Sequence, residues 1–287
     1  MFKSLDNLRQ YFISKLLDVG FRENEAQICF FALCEKHFQL TKIYYFTNPK
    51  SPIPENFQIL IQDLNLLAEG IPLQYILGET NFFGLRIMIN NNVLIPRPET
   101  EELIEKLFDF TCLKNPKFVL DLGCGSGAIA LAIQHSLKNA SVFGIDISSE
   151  AIHLARQNAI NLNLPVNFIE ADFTKNLPNS CPITFDLIIS NPPYIPENEI
   201  HSIDNSVFLF EPHLALFSPK NDPIYFYKHI ANLALDLLKP SGEVWLELYP
   251  PTAQMVSNYF ITLGFSFTYY QDISSKTRFL KATKIHD

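Results

Sequence analysis

A short proline-rich segment carries the clearest chemical signal in this sequence. Asn191, Pro192, Pro193 and Tyr194 directly follow residues 185–190, which have the composition of a buried strand. Prolines fix φ and lack an N–H group, so they end the strand and keep the preceding residues extended. We expect a rigid loop that presents the Asn191 side-chain oxygen and the Pro192 carbonyl oxygen, with the Tyr194 ring as a wall. Two such acceptors match the two donors of a planar –NH2 group.

This pair of acceptors suits a group transfer to an amide or an aromatic amine, whose nitrogen is a poor nucleophile because its lone pair is delocalised. A neutral hydrogen bond contributes only about 0.5–1.5 kcal/mol net, whereas aligning the reacting atoms contributes about 7–11 kcal/mol. We therefore expect Asn191 and Pro192 to act mainly by positioning. A carboxylate should be rejected, because its oxygens would face oxygens.

A glycine-rich turn, DLGCGSG at residues 121–127, marks a second candidate binding position between a strand and a helix. Glycine permits sharp turns and close approach to the backbone, and a helix start offers N–H groups to a carboxylate. The glycine spacing differs from that of the phosphate-binding loop and of the dinucleotide fingerprint. Cys124 has no basic partner in the sequence, so we interpret it as a small residue and not as a nucleophile.

Acidic side chains end the next two predicted strands. A carboxylate at Asp146 can accept hydrogen bonds from a ribose diol; alone it could equally cap a helix, but the glycine loop upstream favours ribose binding. Asp172 and Phe173 end the third strand, where a polar group can pair with an adenine edge while the base lies on the Phe173 ring. Taken alone, a turn residue and a core residue are the commoner roles for these two.

Strands and helices alternate from Lys117 onward. The pattern predicts an α/β fold with a doubly wound, mostly parallel seven-stranded sheet, whose ligands bind at the carboxyl ends of the strands. The predicted strands are 118–122, 142–145, 166–169, 185–190, 243–248, 265–270 and 278–282. The predicted helices are 128–137, 150–161, 224–238 and 252–263.

The residues before this region predict a small helical domain and a β-hairpin. Helical spacing of apolar residues predicts helices at 5–17, 25–37 and 57–67. Residues 82–89 are strand-like, and three asparagines at 90–92 supply a turn before the apolar residues 93–95, which predicts the hairpin. Thr100 is expected to cap the next helix. The expected division is a helical substrate-docking domain at 1–80, a hairpin linker at 81–96 and a catalytic domain at 97–287. A helical bundle that only packs on the rest of the protein is the alternative role for the first of these.

Composition narrows the classes of partner and compartment. The chain has 287 residues and a formal net charge of -8, so we expect no direct nucleic-acid partner. An odd number of cysteines, five, and the absence of any C-x-x-C pair favour a reducing compartment without a zinc site. No apolar run in the sequence approaches the length of a membrane span. We expect a cytoplasmic protein that is a monomer and binds neither a metal nor a membrane.

The sequence resembles the release-factor glutamine methyltransferases (HemK/PrmC type) within the amino-methyltransferase branch of class I. The resemblance covers most of the chain from about Pro72. It rests on PLQYILG at 72–78, FG at 83–84, LIPRPETE at 94–101, the glycine loop, NPPY at 191–194, EP at 211–212 and AL at 215–216. Two residues depart from the family pattern: Tyr249 stands where glycine is usual, and Phe173 where many members have tryptophan.

The resemblance implies in-line methyl transfer from S-adenosylmethionine to the glutamine amide in the GGQ loop of peptide chain release factors. It implies that the substrate is bound by Asn191, Pro192, Pro193 and Tyr194. We expect Arg97 and Glu99, in the RPETE segment, to bind the substrate as well. The implied catalytic residues are Asn191, Pro192 and Tyr194, and the implied cofactor-binding residues are Gly123, Cys124, Gly125, Ser126, Gly127, Asp146, Asp172, Phe173 and Asn191.

Two other functions stay open at this point. A ribosomal-protein glutamine methyltransferase is the nearer one, although the RPET segment at 97–100 resembles the release-factor type. An adenine or guanine amino-methyltransferase acting on DNA or RNA would use the same NPPY loop. The acidic N-terminal region does not resemble a basic nucleic-acid recognition domain. A non-catalytic scaffold would need neither the glycine loop nor the NPPY loop.

Overall fold

The chain forms a helical unit and an α/β unit. The first comprises Met1–Glu79 with Asp204–Phe210, and the second comprises Thr80–Ile203 with Glu211–Asp287. Whether they correspond to the domains expected from the sequence stays a prediction. The structure is a computed structural model that describes residues 2, 4–48, 51–175, 177–178, 180–182, 184–219 (Ser202 by its backbone alone) and 221–285.

The described residues form the following α-helices and strands. The helices are α1 (Leu5–Asp18), α2 (Glu23–Phe38), α3 (Lys42–Thr47), α4 (Gln58–Ala68), α5 (Leu73–Leu77), α6 (Pro98–Phe110), α7 (Ala128–Ser136), α8 (Ser149–Leu162), α9 (Asn205–Phe210), α10 (Tyr225–Leu237) and α11 (Ala253–Thr262). The strands are β1 (Glu79–Phe82), β2 (Leu85–Met88), β3 (Phe118–Leu122), β4 (Ser141–Asp146), β5 (Asn167–Glu170), β6 (Phe185–Ser190), β7 (Ile195–Pro196), β8 (Phe217–Ser218), β9 (Leu238–Glu247), β10 (Phe265–Gln271) and β11 (Thr277–Lys284).

The helical unit packs around an apolar core supplied mainly by α1, α2 and α4. Leu8, Phe12 and Phe30 are fully buried in it, together with Leu33 and Leu60. Apolar side chains at helical spacing therefore face one another, and the three helices predicted from that spacing are confirmed. The short helices α3 and α5 were not predicted, because one or two turns are too short to show a period.

The α/β unit contains the predicted seven-stranded sheet, in the order β10-β11-β9-β6-β3-β4-β5. The five strands from β9 to β5 run parallel, and β11 and β10 are antiparallel to their neighbours. Along the chain, β4 and β5 add to one side of β3, whereas β6 adds to the other. The strand order therefore reverses between β3 and β6, where ligands bind in such sheets.

Buried apolar runs explain why the central strands form. In β6 all residues except Asp186 are buried, and in β3 all except Phe118 are buried. Strands covered on both faces are continuously apolar, as is usual for parallel sheets between helices. The carboxyl ends of β3 and β6 carry the glycine loop and the NPPY segment, so the fold places both at the same edge.

The hairpin exists, but its turn lies elsewhere than predicted. β1 and β2 pair in a two-stranded sheet, and they are joined by Phe83 with φ 49° and Gly84 with φ 76°. Two positive φ angles match the type I′ turn that the twist of a tight hairpin favours. The predicted turn at 90–92 does form a local loop, since the Asn92 N–H donates to Asn90 Oδ1 at 3.0 Å. Residues 93–95, however, are assigned to no strand, so that part of the prediction was wrong.

Across the described part of the chain, every helix falls short of the length and hydropathy required to cross a bilayer.

Candidate active site

A cavity of about 420 Å³ opens at the carboxyl edge of β3, β4 and β6. This volume lies within the usual range for small-molecule sites, about 300–1,000 Å³. The lining comes from the glycine loop, from the ends of the three strands β4, β5 and β6, and from three further segments at 91–94, 212–215 and 225–226. Among the described residues, no group of His, Cys, Asp or Glu side chains is arranged to bind a metal ion.

The glycine loop forms the floor of this cavity through only part of its length. Gly123 and Gly125 line the cavity, whereas Cys124, Ser126 and Gly127 are not part of the lining. A Cβ atom on Gly127 would lie 2.6 Å from Phe168 Cζ, so this glycine is required for packing against β5. Gly144 in β4 is held in the same way, because its Cβ would lie 2.6 Å from the same ring.

The side chains of Cys124 and Ser126, two residues of the glycine loop, are buried. The Ser126 carbonyl accepts a hydrogen bond from Asn158 Nδ2 at 3.0 Å, which ties the loop to α8. Burial raises the pKa of the Cys124 thiol well above its ordinary value. The thiol is therefore neutral, in keeping with our interpretation of Cys124 as a small packing residue.

Asp146 connects the glycine loop to the end of β4 and lines the cavity. Its Oδ2 accepts from the Gly125 N–H at 2.8 Å, and its Oδ1 accepts from the Ser148 N–H at 2.9 Å. Burial raises the pKa of this carboxyl. The N-cap of α8 is Ser148, whose Oγ accepts from the Ala151 N–H at 3.1 Å, so Asp146 is not needed as a helix cap. Each carboxylate oxygen retains a lone pair for a ligand.

Asp172 and Phe173 also line the cavity. Asp172 Oδ1 accepts from the Thr174 hydroxyl at 2.6 Å, and this hydrogen bond lowers the pKa of the carboxyl. The Phe173 ring is buried and lies 5.8 Å from the Phe226 ring, which lines the same wall. Asp172 therefore is a turn residue and Phe173 a core residue, while both also face the cavity.

The NPPY segment brings Asn191 and Pro193 to the cavity. Asn191 Nδ2 donates to Thr100 Oγ1 at 3.0 Å. Pro192 is buried and Tyr194 is partly buried, and neither is part of the lining. The Tyr194 ring stacks on the Tyr249 ring, with centroids 5.8 Å apart and planes 6° apart. In this structure the Tyr194 ring therefore packs on Tyr249, outside the cavity lining where the sequence had led us to expect it.

Tyr249, which departs from the family pattern, fits without backbone strain. Its φ is -79°, a value open to any residue, so glycine is not required at this position. Besides stacking on Tyr194, its hydroxyl donates to Glu199. Tyr249 thus makes contacts, which glycine could not make, with Tyr194 of the NPPY loop and with Glu199 in the segment that follows this loop.

A buried carboxyl beside the NPPY loop was missed by the sequence analysis. Glu247, at the end of β9, is 1% exposed and accepts from Thr100 Oγ1 at 2.8 Å and from Tyr194 Oη at 3.3 Å. Burial raises its pKa to about 7. The expected capping role of Thr100 was wrong, because α6 begins at Pro98 with Arg97 as its N-cap. The signal available in the sequence was that Glu247 ends a strand after the apolar residues 244–246, at the edge of the sheet where ligands bind.

Arg97 and Glu99, expected to bind substrate, are not part of the cavity lining. Arg97 Nη2 donates to Glu211 Oε1 at 2.5 Å, and the Ile95 N–H donates to Glu211 Oε2 at 3.1 Å. Glu211 is 4% exposed and precedes Pro212, which lines the cavity. This carboxylate therefore holds two segments of the cavity wall together.

Asp121, below the glycine loop, is a buried carboxyl with an unusual protonation state. Its Oδ2 accepts from the Ala130 N–H at 3.1 Å, and its Oδ1 has no hydrogen-bond partner among the described residues. Burial raises its pKa to about 8 from near 3.8. Between these pH values the folded state binds one more proton than the unfolded state, so the free energy of unfolding falls as pH rises.

We expect Asp121→Asn to flatten this dependence, because asparagine keeps the shape and cannot ionise. The change in slope is at most about 1.4 kcal/mol per pH unit between pH 4 and 8. Urea unfolding at several pH values measures it. Asp236→Asn on α10 removes an exposed acid and is the matched control. Equal slopes in the wild type and Asp121→Asn would contradict the assignment of a buried proton.

Sequence and structure comparisons agree with this architecture. A PrmC N-terminal domain family matches residues 7–78, and a methyltransferase domain family matches residues 113–257. The crystal structure of a methyltransferase from Pyrococcus furiosus superimposes with a TM-score of 0.53 at 21% identity, covering 80% of this chain and 99% of that one. The fold and the cavity at its switch point define a class I methyltransferase, whose methyl donor is S-adenosylmethionine.

Two relatives identify the branch within this class. The release factor glutamine methyltransferase of Flavobacterium psychrophilum is 40% identical over 252 residues, covering 85% of this chain and 86% of that protein. The enzyme of the same name from Clostridium botulinum is 32% identical and covers 96% of both chains. The chain belongs to the release factor glutamine methyltransferase family, which confirms the resemblance seen in the sequence.

Proposed function

We propose that this protein methylates the side-chain amide nitrogen of a glutamine in peptide chain release factors, and that Asn191 holds the amide for transfer. The observation that carries the proposal is the position of Asn191. It lies in the same cavity as Gly123, Gly125 and Asp146, on a loop stiffened by two prolines. The names of the relatives support the choice of substrate.

The residues of the cavity fit S-adenosylmethionine, which when bound supplies an electrophilic methyl group on a sulfonium sulfur. Gly123 and Gly125 have φ angles of 73° and 53°, in the left-handed region that favours glycine, so this part of the cavity is lined by bare backbone. Asp146 would hold the ribose diol with its remaining lone pairs. Phe173 and Phe226 would flank the adenine, and the glycine loop would receive the carboxylate.

Selectivity for glutamine over glutamate follows from the polarity of Asn191. Its Nδ2 is used by Thr100, so its Oδ1 is left to accept a hydrogen bond from the substrate. A glutamine –NH2 can donate to that oxygen, whereas a glutamate carboxylate would bring a second acceptor against it. A buried site made for an amide therefore rejects the acid.

The test is incubation of the purified protein with labelled methyl donor and, in parallel, release factors, ribosomal protein and nucleic acid. We expect label only in release factors, and mass spectrometry of the labelled peptide should place it on the glutamine side chain. Label on ribosomal protein or on a nucleic-acid base would favour one of the two alternatives. A release factor with glutamate at this position should stay unlabelled.

We further propose that the N-terminal domain contacts the body of the release factor, and that the protein acts as a monomer in the cytoplasm without touching nucleic acid directly. The PrmC N-terminal domain family match at 7–78 supports a shared role for this region. Deleting residues 1–70 should lower kcat/KM on full-length release factor while sparing a short glutamine peptide. The peptide is the control for folding, and equal rates on full-length substrate would exclude docking by this domain.

A further inference from the structure

Three polar side chains form a continuous chain of hydrogen bonds from the cavity to the buried end of β9. Asn191 Nδ2 lies 3.0 Å from Thr100 Oγ1, and Thr100 Oγ1 lies 2.8 Å from Glu247 Oε2. Thr100 is 4% exposed and Glu247 1%. Water therefore does not compete for the hydrogen bonds of Thr100 and Glu247. Each of these side chains must find its hydrogen-bond partner within the chain.

The number of protons in this chain decides its direction. An ionised carboxylate can only accept hydrogen bonds, so the single hydroxyl hydrogen of Thr100 is donated to Glu247. The Thr100 oxygen can then only accept from Asn191, which must turn its –NH2 group toward Thr100. The nitrogen and oxygen of an amide have nearly the same shape, so the hydrogen-bond partners alone set which one faces the cavity.

We propose that Thr100 and Glu247 are positioning residues that fix the amide orientation of Asn191 with its oxygen toward the substrate. This inference rests on the proposed function, since it explains how one amide distinguishes glutamine from glutamate. If the amide were reversed, its –NH2 group would face the cavity and would repel the substrate –NH2 while attracting a carboxylate.

The surroundings of Glu247 make this orientation dependent on pH. The groups that act on its carboxyl are Thr100 and Glu99 on α6, Tyr194 after β6 and Arg278 on β11. The buried Tyr227 on α10 also faces this residue, because its hydroxyl donates to the Glu247 backbone carbonyl at 3.0 Å. Arg278 Nε also donates to Asp272 Oδ2 at 3.2 Å, so its charge is shared. Burial places the Glu247 pKa at about 7. Below that pH the protonated carboxyl can donate to Thr100, and the direction of the chain can reverse.

The test compares Thr100→Val, which keeps the shape and removes the hydroxyl, with Thr100→Ser, which keeps the hydroxyl. The substrate is a short Gly-Gly-Gln peptide, and the inhibitor is the same peptide with glutamate. In Thr100→Val we expect kcat to fall at least about 10-fold and the preference for glutamine over glutamate binding to shrink by about 10-fold, the loss expected when one buried hydrogen bond is removed. Thr100→Ser should retain both.

The pH profile gives a readout that a purely structural role would not change. In the wild type and Thr100→Ser we expect kcat to decline as pH falls through about 7. Both Thr100→Val and Glu247→Gln should lose this decline. Thr100→Val breaks the chain of hydrogen bonds, and Glu247→Gln removes the group that ionises. Glu247→Gln also serves if Thr100→Val does not fold, as judged by thermal unfolding.

The outcomes separate this inference from the proposed function. If the wild type does not methylate the glutamine peptide or the release factor, the proposed function is wrong. If the wild type is active and Thr100→Val, or Glu247→Gln in its place, keeps the glutamine preference and the decline near pH 7, the positioning role is wrong. A lower kcat with both features unchanged would also overturn it, because it would indicate only a local loss of packing.

Discussion

Asn191→Ala is expected to reduce kcat on the order of 10³-fold, about 4 kcal/mol in activation free energy, while changing the affinity for S-adenosylmethionine little. Asn191 is the one residue of the NPPY segment that lines the cavity and carries a side-chain amide, and its Nδ2 donates to Thr100, so we expect its Oδ1 to hold the substrate nitrogen. Without it the substrate nitrogen is free to rotate away from the line of transfer. Single-turnover kinetics on release factor measures the loss, and calorimetry measures the cofactor affinity.

Asn191→Asp is the informative companion to this variant. Aspartate keeps an oxygen for the substrate but has no –NH2 group for Thr100, so we expect it to be impaired less than alanine. Asn161→Ala, on the exposed face of α8, controls for loss of an asparagine elsewhere. Near-normal turnover in Asn191→Ala would remove the basis of the proposed mechanism.

Asp146→Ala should have the second largest effect, this time on cofactor binding. The carboxylate receives the Gly125 and Ser148 N–H groups at 2.8 and 2.9 Å, so its loss frees the glycine loop and removes the acceptor proposed for the ribose. Hydrogen bonds to charged groups contribute about 1.5–3 kcal/mol each. We therefore expect calorimetry to show affinity at least about 100-fold weaker, with kcat at saturating cofactor affected less.

A control variant and a conservative variant sharpen this result. Glu150→Ala removes an exposed acid at the start of α8, the helix that follows Asp146, and should leave the affinity unchanged. Asp146→Asn keeps one acceptor oxygen and should bind with intermediate affinity. An unaltered calorimetric affinity in Asp146→Ala would refute the ribose assignment.

The sequence predicted the sheet well because its strands are continuously apolar and its helices periodic. The observed bounds of β3 and β6 are identical to the predicted ones, 118–122 and 185–190. The hairpin turn was misplaced because three consecutive asparagines resemble a turn more strongly than the pair Phe83-Gly84. Phenylalanine with positive φ is uncommon, and here the pairing of β1 with β2 offsets the cost of that conformation.

The candidate site was predictable where one segment supplies the group and obscure where distant segments meet. The glycine loop, Asp146 and Asn191 each directly follow a strand, so the fold alone brings them to one edge. Thr100 and Glu247 are 147 residues apart, and their hydrogen bond depends on how α6 packs beside β9. A motif scan cannot reveal such a pair. The binding roles of the predicted residues, and the expected monomeric state, stay predictions.

The Phe168 ring has a consequence for how this protein can change over evolutionary time. The ring fills the space where Gly127 and Gly144 would each carry a Cβ, at 2.6 Å in both cases. A mutation to alanine at either glycine is therefore damaging in this background. At Gly144 it becomes tolerable only after residue 168 has become smaller, whereas Gly127 has a φ of 81°, which favours glycine whatever the size of residue 168. Among homologues, residues 144 and 168 should vary together, with the change at 168 coming first, while residue 127 should stay glycine.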